Sequence, residues 1–160
     1  ISEETKIKNT EMTVKAFPLS HVNPFESTAF LIQNGNDAIL YLGDTGPDSV
    51  EKSNDLSELW KAISPLVQQK KLKGIFIEVS FPNEQPDSSL FGHLTPNHLM
   101  KELHKLEELA GKGTLKNFKI IITHFKPPTQ SIVKIKEQLQ KGNDLGVQLI
   151  FPEQGKRFEL

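Results

Sequence analysis

From Asp55 to the C-terminus, the apolar residues alternate between two periods, and that alternation limits the chain's fold more than any other feature. Leu56, Leu59, Trp60, Ile63 and Val67 recur at helical spacing, which predicts a helix over about Asp55–Lys70 with an inward face. Asn54 or Asp55 can cap it, and Pro65 predicts a kink or a break between two helices. Gly74–Val79 is a buried-strand pattern. Thr95-Pro96 opens a second helix with an N-cap residue and a proline in its first turn. Leu99, Leu103, Leu106 and Ala110 form the inner stripe of that helix, and Gly111 and Gly113 end it. Lys119–Thr123 is another buried strand. Ser131–Gln140 is a helix facing inward through Ile132, Ile135 and Leu139, and Val147–Phe151 is a last strand.

Upstream of Asp55 the pattern is strand-like. Thr13–Leu19 alternates weakly, and Thr28–Ile32 and Ala38–Leu42 are short apolar runs. The spacer Asn34-Gly35-Asn36-Asp37 is a hairpin signal, because Asn-Gly accepts the positive φ of a tight turn. Three strands followed by alternating helices and strands give an α/β class with a mixed sheet. Residues 1–11 are polar and charged and are expected to form a mobile leading segment. His98 and His104 are expected to face solvent from the second helix, and Lys70-Lys71-Leu72-Lys73 to be a solvated helix end.

The balance of 19 basic and 20 acidic residues leaves a net charge of −1, which argues against nucleic-acid binding through a basic surface. No apolar run approaches the ~20 residues of a membrane span, and no segment has the pattern of a signal peptide. Cysteine is absent. Any metal is therefore held by His and carboxylate groups, and the chain suits either the cytosol or an oxidising compartment.

Three chemically useful residues obey one local rule. Asp44 closes the strand Leu40-Tyr41-Leu42-Gly43-Asp44-Thr45-Gly46, His21 follows Leu19-Ser20, and His124 follows Ile120-Ile121-Ile122-Thr123. All three are strand exits, the places in α/β sheets where ligands collect. Two imidazoles and a carboxylate suit Zn²⁺, Mn²⁺ or Fe²⁺. His93 stands two residues before a helix cap, at the end of a long Ser80–Gly92 loop, where an imidazole suits proton donation or phosphate contact. Such a loop is functional or disordered in most compact domains. Glu78 lies in an apolar strand and needs a partner. Orienting His93 or accepting a backbone amide would each supply one.

These segments resemble one family in content and in order. Ser20-His21, Ser27-Thr28-Ala29-Phe30, Tyr41-Leu42-Gly43-Asp44, Ile77-Glu78-Val79-Ser80, Phe91-Gly92-His93-Leu94-Thr95-Pro96 and Ile122-Thr123-His124-Phe125-Lys126-Pro127 are similar to class II cyclic-nucleotide phosphodiesterases of the metallo-β-lactamase-fold superfamily. The resemblance implies half of an αββα sandwich over residues 12–160, a mixed sheet with helices on its outer face. It implies His21, Asp44 and His124 as metal ligands, with Asp44 bridging two divalent ions, Zn²⁺ first and Mn²⁺ or Fe²⁺ as alternatives. It makes His93 the catalytic histidine at the scissile phosphate, Glu78 its orienting acid, and Lys126, Ser27 and Thr28 substrate contacts.

The expected reaction is hydrolysis of cAMP or cGMP to the nucleoside 5′-monophosphate by a metal-bound hydroxide. The superfamily's His-x-His-x-Asp-His loop is missing from these residues, and the first residue is Ile. The chain is therefore expected to be a C-terminal half, inactive without an N-terminal half that carries that loop, with a homodimer as a further option. Two alternatives stand beside this expectation. One is a metal-free binding or interaction module, and the other is a tRNA 3′-processing endonuclease of the same superfamily.

Overall fold

The computed structural model describes residues 3–22 and 24–160; Ile1 and Ser2 of the leading segment, and Asn23 after His21, lie outside the described residues. Among the described residues, seven strands form one sheet in chain order. They are β1 (Thr5–Lys6), β2 (Thr13–Ser20), β3 (Glu26–Asn34), β4 (Asp37–Leu42), β5 (Leu72–Glu78), β6 (Lys119–Thr123) and β7 (Gln148–Ile150). β1 to β4 pair antiparallel, and β4 to β7 pair parallel. Two reversals, β2 to β3 and β3 to β4, restore the original direction. The C-terminal ends of β2, β4, β5 and β6 therefore lie along the same edge of the sheet, and this edge carries the site.

The helices are α1 (Asp48–Glu51), α2 (Asp55–Gln68), α3 (Pro96–Ala110) and α4 (Thr129–Gly142). Successive right-handed crossovers that step in one direction place the helices on one face of the parallel strands. Leu31, Leu40, Ile75 and Ile120 form a paired row on that face, buried with Leu56, Trp60, Ile63, Leu99, Leu103 and Leu106. The opposite face carries the row Phe30, Tyr41, Phe76 and Ile121. Phe30 and Tyr41 there are exposed, and Phe158 of the C-terminal segment overlies Phe76 with ring centroids 6.2 Å apart. No described helix is long and apolar enough to cross a membrane.

The structure revises the local expectations for the leading segment, for Pro65 and for His98, and adds a contact at the start of α2. The leading segment is ordered from Thr5, because β1 pairs with Thr13–Val14 across a turn whose Asn9 adopts φ 61. α2 passes through Pro65 without a break. The proline lacks the amide that would bond to the Lys61 carbonyl, and the Ser64 hydroxyl donates to that carbonyl instead at 3.2 Å. Asn54 occupies the N-cap position of α2, with its carbonyl accepting the Glu58 amide at 2.9 Å, but its side chain makes no cap bond. The Asp48 carboxylate accepts from the amides of Leu56 and Ser57 at 3.0 and 2.9 Å, and Asp55 accepts from the Ser20 hydroxyl at 2.5 Å, fastening α2 to the end of β2.

His98 is buried rather than solvent-facing. Its Nδ1 lies 2.8 Å from the Thr95 hydroxyl, and its Nε2 lies 3.4 Å from Asp87 on a short 3₁₀ turn, Asp87–Ser89, that folds over it. His104 is half-exposed and meets Asp144 at 3.1 Å. The Ser80–Gly92 loop is fastened at both sides. Asn83 Oδ1 accepts the Asn97 amide at 2.8 Å, the Asn83 amide donates to Gln138 at 2.9 Å, and Lys134 pairs with Glu84 at 3.0 Å. The buried Glu102 carboxylate of α3 joins two helices, with Trp60 Nε1 on α2 donating to it at 2.8 Å and the half-exposed Lys105 reaching it at 2.7 Å.

Candidate active site

Each strand on the shared edge delivers one group. His21 follows β2, and its Nδ1 bonds to the Gly92 carbonyl at 2.9 Å. The carbonyl can only accept, so Nδ1 carries the hydrogen and Nε2 keeps its lone pair, the arrangement of a metal-ligating histidine. Gly92 allows this approach. It adopts φ 74, and a Cβ there would lie 2.5 Å from His21 Nδ1. Asp44 follows β4 on a turn closed by the Gly43 amide, which donates to the Thr28 carbonyl at 3.0 Å. A Cβ on Gly43 would collide with the Ser27 hydroxyl. Ser27 and Thr28 thus support the Asp44 turn. His124 follows β6 in the left-handed region at φ 58, with Nε2 3.3 Å from Asp44 Oδ2.

Behind this rim stands a buried wall. Glu78, at the end of β5, is 1% exposed and His93 is 3% exposed. His93 Nδ1 donates to Glu78 Oε1 at 2.9 Å, and the Leu94 amide donates to the same oxygen at 3.1 Å. The Ser80 hydroxyl donates to Glu78 Oε2 at 2.7 Å. On its other side, His93 Nε2 meets Lys126 Nζ at 2.6 Å. An ammonium can only donate, so these contacts fit a neutral His93 with hydrogen on Nδ1. The His93 ring lies 4.9 Å from His21 and stacks on His124 at 5.3 Å. Phe81 packs edge-on against it at 5.9 Å and takes Lys126 over its face at 5.1 Å.

The donor set suits a divalent ion. His21, Asp44 and His93 each offer one ligand atom within 4.8 Å of the others, and His124 joins through Asp44. His93 lies within this trio by position, but both of its nitrogens have protein partners, whereas His21 Nε2 has no hydrogen-bond partner among the described residues. The edge therefore gathers His21, Asp44, Glu78, His93, His124 and Lys126, while the contacts of Ser27 and Thr28 run to the Gly43 turn. Ser80, the Gly92 carbonyl and Phe81 are contributors that the sequence reading missed. Ser80 carried one usable signal, since residues two apart in an extended chain point the same way and so place it beside Glu78.

With that geometry in place, the comparisons with known proteins fall into a pattern. A metallo-β-lactamase fold protein of Bacillus subtilis superposes with a TM-score of 0.62 at 14% identity, covering 98% of this chain and 52% of that one. That likeness defines the fold class. The crystal structure of unliganded yeast PDE1 superposes with a TM-score of 0.81 at 26% identity, covering 96% of this chain and 47% of that one. The family model described as class-II cAMP phosphodiesterases matches residues 2–155, and the chain belongs to that family. A 3′,5′-cyclic-nucleotide phosphodiesterase of Aliivibrio fischeri is 51% identical over 154 residues, 93% of this chain and 46% of the relative. A probable 3′,5′-cyclic-nucleotide phosphodiesterase of Yersinia pestis is 44% identical over 151 residues, 91% of this chain and 44% of the relative. The chain thus spans slightly under half the length of these two relatives.

Proposed function

We propose that this chain is the C-terminal half of a metal-dependent phosphodiesterase that opens 3′,5′-cyclic nucleotides to nucleoside 5′-monophosphates. The observation that carries this reading is the convergence of four strand ends on one sheet edge. There an open His21–Asp44–His124 rim meets a closed Glu78–His93–Lys126 wall. The names of the relatives supply the substrate class. Residues 12–160 form one half of an αββα sandwich, and the sheet face with the exposed Phe30 and Tyr41 receives the N-terminal half with the remaining metal ligands.

His21, Asp44 and His124 would hold two divalent ions, with Zn²⁺ favoured by the imidazole donors. When bound, the ions acidify water and draw charge from the phosphate. His93 handles the proton of the leaving group. Glu78 fixes the hydrogen on Nδ1 and favours the imidazolium that forms when Nε2 takes a proton, and Lys126 stands at that nitrogen as donor. As the P–O3′ bond breaks, the Lys126 ammonium passes a proton to Nε2 and Nε2 passes it on to the ribose 3′ oxygen, after which the Lys126 amine regains a proton from solvent. The Lys126 ammonium also offsets charge on the phosphate. Ser27 and Thr28, beside the Asp44 turn, are assigned to nucleotide contact.

The test is hydrolysis of cAMP and cGMP by the full-length protein loaded with Zn²⁺ or Mn²⁺, with the 5′-monophosphate identified by chromatography. His93→Ala is expected to lower turnover at least about a hundredfold. Absence of hydrolysis, or unchanged turnover in His93→Ala, defeats the reading.

A further inference from the structure

We infer that Ser80 is a positioning residue that holds the metal-ligating rim and the proton-handling wall in one register; its role rests on the function proposed above. Ser80 is 1% exposed and touches three segments of the site, the end of β5, the His93 turn and the His124 peptide. Its hydroxyl lies 2.7 Å from Glu78 Oε2, 3.1 Å from the His124 carbonyl and 3.4 Å from His93 Nδ1. Its amide donates to the Leu94 carbonyl at 3.1 Å, next to His93.

The topology explains the placement. The parallel ladder between β5 and β6 ends where the Val79 amide donates to the Thr123 carbonyl at 3.2 Å. The next carbonyl along that strand belongs to His124, and the Ser80 side chain takes the place of a further ladder bond. His124 needs such a restraint, because φ 58 is disfavoured for a residue with a Cβ and persists only where the surroundings over-determine it. A serine hydroxyl has one hydrogen to give, and here it faces two acceptors. Turning it trades the Glu78 contact for the His124 contact. The orientation of His93, set through Glu78, and that of the His124 peptide thereby become coupled through one side chain.

Partners of metal ligands that do not themselves touch the ion typically change affinity or activity by about 10–100-fold when removed. In the full-length protein, Ser80→Ala is expected to weaken Zn²⁺ binding, read by competition with a chelator, about tenfold or more. It is also expected to lower kcat on cAMP by a similar factor and to leave KM within about twofold. Ser80→Thr, which keeps the hydroxyl, restores both values in a protein that folds. Wild-type affinity and kcat in Ser80→Ala overturn the assignment, and so does a fall in Tm with both unchanged or a folded Ser80→Thr no better than alanine. A wild-type protein that binds Zn²⁺ but opens no cyclic nucleotide defeats the phosphodiesterase function alone, and weaker Zn²⁺ binding by Ser80→Ala then still supports Ser80. An active wild type with an unaffected Ser80→Ala variant defeats only the role of Ser80.

Discussion

His93 and His124 stack ring on ring at 5.3 Å, yet they occupy opposite environments. His93 is almost fully buried and both of its nitrogens are committed, to Glu78 and to Lys126. The His124 side chain is 44% exposed, and its Nε2 faces the 35% exposed carboxylate of Asp44. A group whose contacts are all specified can hold a proton in one place, but it has little freedom to rearrange around an ion. A half-open pair has that freedom and gains less from its mutual attraction, because solvent screens it. Under the proposed function, the wall would suit proton control and the rim ligation.

Removing the Asp44 carboxylate should break this comparison most severely. Asp44→Ala in the full-length protein is expected to abolish stoichiometric metal, read by elemental analysis, and to lower turnover about a thousandfold. The Tm of the metal-free protein should move by no more than about 2 °C, since a half-exposed carboxylate contributes little to folding. A large loss of metal-free stability would show that the rim is structural.

The mirror experiment targets the wall. Glu78→Gln keeps the shape but replaces the charge that three donors share. Turnover is expected to fall about a hundredfold, with zinc stoichiometry unchanged. Stability should fall by about 1–3 kcal/mol, because a buried amide cannot accept from His93, Leu94 and Ser80 as the carboxylate does. Loss of metal together with turnover would merge the wall with the rim.

The parts of the site legible in the sequence are those that depend on position along a strand. His21, Asp44, Glu78 and His124 each mark the end of an apolar run, and strands that run in the same direction bring such ends to one edge of a sheet. The Asn34–Asp37 turn and the helix stripe through Leu99, Leu103 and Leu106 were equally local. What escaped notice depends on residues distant in sequence. Asp48 accepts first-turn amides of a helix that begins seven residues later. Glu102 looks like a surface residue among Lys101 and Lys105 until Trp60 arrives from α2. Ser80 gains its second acceptor from His124, 44 residues on. The burial of His98 depends on Asp87, which is carried over it by a loop whose path no periodicity marks.

His98 supplies the control for the wall, because it is buried as His93 is but its carboxylate partner, Asp87, is solvent-exposed where Glu78 is buried. Burial holds its pKa below the ordinary value of 6.5, with Lys101 adding to the shift and Asp87 and Glu102 opposing it. The folded protein therefore takes up this proton less readily than the unfolded chain, and stability linked to the site is complete above about pH 6.5 and lost as pH falls through the folded-state value. His98→Gln removes the titration and keeps a polar side chain near Thr95. Between pH 7.5 and pH 5.5 the Tm of the wild type should fall about 1–2 °C further than that of the variant, while zinc affinity at pH 7.5 stays the same in both. Equal slopes would show that Asp87 at 3.4 Å offsets the burial of His98 and that this site does not set the pH dependence of stability.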